Sequence, residues 1–119
     1  MAFRVKLLLV VLAFLSLVTV VTLYFNWQEP EYKPGVSEFN DKAVNQAQTV
    51  YKQKKDLGVD FTSGPCLSND LLPNWVADII HSPRNSEDNY SQNQCQAFLE
   101  GRAKHFVELD IAGNVVRVK

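Results

Sequence analysis

From Leu7 to Phe25 the chain reads LLLVVLAFLSLVTVVTLYF, an apolar run whose polar interruptions are Ser16, Thr19 and Thr22. Such a run leaves few choices. Hydroxyls of this kind bond back to carbonyls within a helix, and at 1.5 Å per residue the run extends about 28 Å, close to the roughly 30 Å hydrocarbon thickness of a bilayer. The expectation is a membrane-spanning helix that partners the lipid bilayer through residues 7–25. Leu7 and Phe25 mark its ends, and Tyr24 and Trp27 sit where an aromatic belt meets the headgroups.

Arg4 and Lys6 precede the run, whereas Glu29 and Glu31 follow it with a single Lys33. The excess of basic residues on the N-terminal side predicts a cytoplasmic N-terminus and a C-terminal domain outside. A cleaved signal peptide begins in a similar way, but its apolar centre is shorter and small residues of the Ala-x-Ala kind follow it; neither holds here, so the segment reads as an uncleaved signal-anchor.

Charge divides the chain at the same place. Residues 1–28 carry +2, and residues 29–119, with ten bases against thirteen acids, carry −3. An acidic outer portion argues against nucleic acid as a partner, because affinity for nucleic acid rests on a positive surface. The lysines at 52, 54 and 55 run the other way, and a helix C-terminus accounts for them. We divide the chain into an anchor (1–28), a Pro- and Gly-containing tether (29–36) and an extracytoplasmic domain (37–119). At about 80 residues that domain holds one small core and is marginal without a cross-link.

Within it, Val44, Ala47, Val50, Tyr51 and Leu57 recur at helical spacing between an N-cap at Ser37 or Asn40 and a stop at Gly58, predicting a helix over 37–57. Leu72, Trp75, Val76, Ile79 and Ile80 form an apolar stripe with Pro73 at its head, predicting a short buried helix from Pro73 to His81. Ser91 with Gln94 has the pattern of a capping box, so a third helix is placed from about Ser91 to Gly101 with Cys95, Phe98 and Leu99 inward. The end of the chain alternates: His105, Val107 and Leu109 fall on one face, Phe106, Glu108 and Asp110 on the other, and Val116 and Val118 resume the apolar phase beyond a turn from Asp110 to Gly113. That is a β-hairpin. The fold class is α+β: an N-terminal transmembrane helix, then a small domain of about three short helices and a C-terminal hairpin.

Cys66 and Cys95 are the two cysteines, and both fall on the outer side. An even count in an oxidising compartment predicts a disulfide, which over a loop of about 30 residues stabilises by roughly 3 to 4 kcal/mol. Two sharper readings compete. Cys66 as a nucleophile needs His81 or His105 as its base with Asp78 or Glu108 to orient it; Cys66, His81, Cys95 and His105 together make a zinc-like inventory, but the ligands are scattered singly. Neither displaces the cross-link, and no metal or other cofactor is expected. Asn89-Tyr90-Ser91 matches a glycosylation acceptor pattern. The polar stretch RNSEDNYSQ, with Arg84, Asn85, Glu87, Asp88 and Tyr90, is the candidate partner-binding loop, since recognition concentrates in exposed loops on a fixed scaffold.

An anchor followed by GVDFTSGPCLSNDLLPNWVADIIHSPR and a terminal HFVELDIAGN resembles short single-pass bacterial proteins, a resemblance that carries no activity with it. Two function classes stay open. One is a non-enzymatic binding or assembly module at the outer face of a membrane, with another membrane or envelope protein as partner; the other is a small extracytoplasmic enzyme using Cys66 with His81 or His105. Size favours the first, because so little chain leaves scant material for a deep cleft.

Overall fold

A computed structural model describes residues 2–27 and 32–119, which divide into an N-terminal unit and a larger C-terminal one. In the first, α1 (Ala2–Trp27) is continuous and long and apolar enough to cross a membrane. Its three hydroxyls turn inward to the helix as their chemistry requires: Ser16 donates to the Ala13 carbonyl at 2.8 Å, Thr19 to that of Ser16 at 2.8 Å and Thr22 to that of Thr19 at 2.9 Å. Residues 28–31, the last of the anchor and the first three of the tether, lie outside the described residues, as does the side chain of Trp27.

The second unit opens with α2 (Glu38–Asp56), capped by Ser37, whose side chain accepts from the Asn40 amide at 3.4 Å. Ala43, Val44, Ala47 and Tyr51 form its buried face, as the periodicity predicts, but Leu57 is 83% exposed because the helix has already ended. Gly58 follows at φ 81°, a left-handed turn that glycine adopts without strain. The lysines do more than balance the helix terminus: Lys54 reaches the Leu67 carbonyl, and the Lys55 ammonium lies 5.6 Å from the centre of the Tyr51 ring.

The central segment is a sheet, not a helix. β1 (Cys66–Leu72) and β2 (Trp75–Ile80) form an antiparallel pair joined by Pro73-Asn74, with Leu72 opposite Trp75. Proline fixes φ near −65°, and Asn74 adopts φ 70°, the combination of a tight reverse turn with a left-handed third residue. So Pro73 starts a turn here, not a helix. Every residue of β2 is buried, because it is a central strand covered on both faces. A short continuous apolar run of this kind has no period of its own by which to tell strand from helix.

β2 pairs in parallel with β3 (His105–Asp110), and β3 pairs antiparallel with β4 (Val115–Val118), so the expected hairpin is one half of a four-stranded mixed sheet in the order β1-β2-β3-β4. The hairpin turn itself is as predicted: the Gly113 amide donates to the Asp110 carbonyl at 2.9 Å, with Gly113 at φ 90°. A Cβ on Gly113 would stand 2.5 Å from the Tyr51 ring, whose hydroxyl donates to the Ile111 carbonyl at 2.7 Å, so the turn is seated directly on α2.

One face of the sheet, through Leu67, Leu71, Trp75, Ala77, Ile79, Val107 and Leu109, makes the main core with α2 and Phe61. The parallel crossover from β2 to β3 passes over the other face. It holds a 3-10 turn (Ser86–Asn89) and α3 (Gln96–Leu99), which begins after Cys95. Ser91 caps no helix; the capping box belongs to Asn85 and Asp88, three residues apart in the same polar stretch. Cys66 and Cys95 are bonded, with Cα atoms 4.8 Å apart, tying the first residue of β1 to the start of α3.

Candidate functional site

The crossover face carries a smaller apolar cluster of Val76, Cys95, Ala97 and Ala103, with Cys66 and Phe106 against it. Beside that cluster the register builds a row of polar groups. Cys66 pairs with Asp78, Asp78 with Glu108, and Glu108 with Arg117, so one line across all four strands reads disulfide, acid, acid, base. Period-2 alternation sends these side chains to the face opposite α2.

Glu108 is 5% exposed and fully paired. Arg117 forks onto it, Nε to Oε2 at 2.8 Å and Nη2 to Oε1 at 3.0 Å, and Arg84 adds Nη1 to Oε1 at 3.0 Å. Bidentate guanidinium contacts of this kind are the strong class of ion pair. The Arg117 guanidinium also lies 4.8 Å from the centre of the Phe106 ring, which Phe98 meets edge-on at 5.3 Å.

Asp78 differs. It is 9% exposed, and its Oδ1 has no hydrogen-bond partner among the described residues. Burial first, then the negative charge of Glu108, push its carboxyl up to about 8, while the Ile79 amide and Arg84 pull weakly the other way. At neutral pH it is therefore a neutral acid, with one O–H to give and one oxygen to receive. It stands in a pocket of about 100 Å³ walled by Val76, Phe98 and Phe106 and edged by Arg84, Gln94 and Arg117. Buried polar groups are nearly always satisfied, and an unsatisfied one costs about 1 to 3 kcal/mol. An unpaired oxygen at the wall of a pocket is a position where a molecule in the pocket, water included, can complete the hydrogen bonding.

The residues singled out from the sequence are distributed differently. The disulfide occupies both sulfurs, leaving Cys66 no thiol for nucleophilic attack or for metal ligation. His105 is exposed and stacks on Trp75 at 4.8 Å, on the rim of the sheet and away from Cys66. His81 follows β2, where it closes a clasp and not a helix. Its Nδ1 lies 2.9 Å from Asp88 Oδ1 and its Nε2 2.8 Å from the Thr62 carbonyl. A carbonyl only accepts and an ionised carboxylate only accepts, so the two contacts are hydrogen bonds together only when the ring is an imidazolium. Consistently, the hydrogen bond to Asp88 raises the His81 pKa against the opposing effect of burial. Burial would raise Asp88 too, but hydrogen bonds from the Asn85 amide, the His81 ring and the His81 amide outweigh it and hold the carboxyl below its ordinary value.

In the polar loop, Asp88 is 1% exposed and spent on this clasp. Asn85 caps the 3-10 turn and Arg84 points to Glu108 in the pocket, whereas Glu87 and Tyr90 are exposed. The loop thus contributes Arg84 to the pocket and otherwise braces it. The alternation of β3 places Glu108 on this face, and Asp78 enters the sequence reading only as an acid that could orient a histidine base; the pairing of the two is set by a parallel register across a long crossover. None of the comparisons, with family models, with curated proteins and with solved structures, finds a significant match.

Proposed function

We propose that the chain is a membrane-held, non-enzymatic binding module displayed on the outer face. Its Asp78 pocket receives one small hydrogen-bonding group, the size of a single side chain, from another membrane or envelope protein. The observation that carries this reading is the orphan Oδ1 of a nine-tenths buried carboxyl at an open pocket. Volume sets the ligand's size: pockets for drug-sized molecules run to roughly 300–1,000 Å³, and a cavity of about 150 Å³ takes one benzene, so about 100 Å³ suits a projecting side chain. Arginine and aromatic side chains at the rim are the residues from which protein interfaces draw most of their energy. Placement outside rests on Arg4 and Lys6 before the apolar run and on the disulfide, which persists in oxidising compartments.

The test uses a photoreactive phenylalanine analogue at Phe98, on the pocket rim, in the full chain in its native membrane, compared with the same probe at Tyr90. A discrete adduct from position 98 that disappears with Asp78→Leu, while the disulfide stays formed, is the expected result. An adduct from position 90 with none from 98, or one at 98 indifferent to Asp78→Leu, would overturn the pocket as the recognition site.

A further inference from the structure

Away from the pocket, Val36 and Phe39 are 77% and 79% exposed at the start of α2. Phenylalanine held in water at a helix end is worth accounting for when its neighbour is also apolar and equally exposed. The chain around them is not loose. Tyr32 packs against the main core, its hydroxyl bonds Asp41 of the first turn of α2, and the Gly35 amide donates to the other Asp41 oxygen at 2.9 Å. The hydrogen bond to Asp41 is the first cause that raises the Tyr32 hydroxyl to about 12, so it stays protonated and keeps donating.

Connectivity then fixes what this end of the domain must meet. The five steps from Trp27 to Tyr32 reach at most about 18 Å when fully extended. If α1 spans a bilayer, the surface holding Tyr32 is confined to that distance from the end of the span. We propose that Val36 and Phe39 insert into the headgroup boundary of the same bilayer, making the N-terminal end of α2 the membrane-facing end of the domain. Lys33 and Lys42 are exposed near them, offset by Glu38 and Asp41 of the first turn, so the contact rests on the two apolar side chains and not on charge. Two apolar side chains are a weak lipid contact for a free protein, but the anchor keeps them at high effective concentration next to the surface, so little affinity is needed. The consequence is orientation: one end of the domain is held at the lipid and the other turned away from it.

Leu57 is the internal control, since it is 83% exposed at the opposite end of α2, about 28 Å along the helix axis. An environment-sensitive fluorescent amino acid is placed at position 39 or at 57 of the full chain, reconstituted in liposomes of mixed neutral and anionic phospholipid carrying a nitroxide-labelled lipid. Quenching several-fold stronger at 39 than at 57 is expected. Equal quenching, or stronger quenching at 57, overturns the insertion. Because the inference rests on α1 spanning the bilayer, the same liposomes are washed in alkaline carbonate: release of the protein defeats the anchor reading itself, whereas a retained protein with no contrast between 39 and 57 defeats only the docking of Val36 and Phe39.

Discussion

Asp78 and Glu108 are neighbouring acids on one sheet face, and their environments separate them. Glu108 is held by two guanidiniums, while Asp78 has burial and a like charge, which push its carboxyl up to about 8. A carboxyl raised from its unfolded value of 3.8 to about 8 keeps its proton in the folded state after the unfolded chain has lost its own. Stability therefore falls as pH rises between those two values, with a slope approaching 1.4 kcal/mol per pH unit, and is flat above them. His81 adds a fall of the same sign, since its raised pKa makes its contribution complete below the unfolded value and lost as pH rises through the folded one. Asp88 acts only in acid, its contribution present above its unfolded value and lost as pH falls through the depressed folded one. Comparing wild type with Asp78→Asn isolates the first effect. Chemical denaturation between pH 5 and 8 should show the wild type losing stability more steeply than the variant, and the variant should be the more stable of the two near pH 8. Parallel curves would mean that Asp78 is ionised in the folded protein.

Among the elements, the disulfide ties the start of β1 to the four-residue α3, beside the hydrogen bond from the Ala97 amide to Asn69. Cys66→Ser and Cys95→Ser should therefore destabilise alike, by about 3 kcal/mol in thermal or denaturant unfolding, since either removes the same constraint on a separation of 29 residues. A Cys66→Ser variant much worse than Cys95→Ser would point to a further role for Cys66. Elements were legible in the sequence where a single signal decided them: the apolar run of α1, the cap and stripe of α2, the Asp110-to-Gly113 turn, the cysteine pair. They were not where burial erased the period. Trp75 to Ile80 is buried on both faces, so its apolar positions fit a helical stripe as well as a central strand, and Pro73 is as acceptable at the first turn of a helix as at a reverse turn. The pocket was legible in its parts, with Arg84 and Glu108 both noted, but not as a site. Its assembly depends on the parallel pairing of Asp78 with Glu108 across a crossover, a contact no local pattern encodes.

At the scale of the whole molecule, a cross-linked domain with a polar pocket on one sheet face follows a helix able to cross a membrane. The proposed function places this domain in an oxidising compartment on the far side of the membrane, since the cross-link, the pocket beside it and the choice of partner all depend on that placement. The most direct measurement traps thiols with a membrane-permeant alkylating reagent in intact cells before lysis, then takes the intact mass of the full chain from the membrane fraction. The expected result is a mass two hydrogens below the reduced chain, with no alkyl group added until a reductant is supplied and two added afterwards. A chain recovered from the membrane with both Cys66 and Cys95 already alkylated would place the domain in a reducing compartment and contradict it.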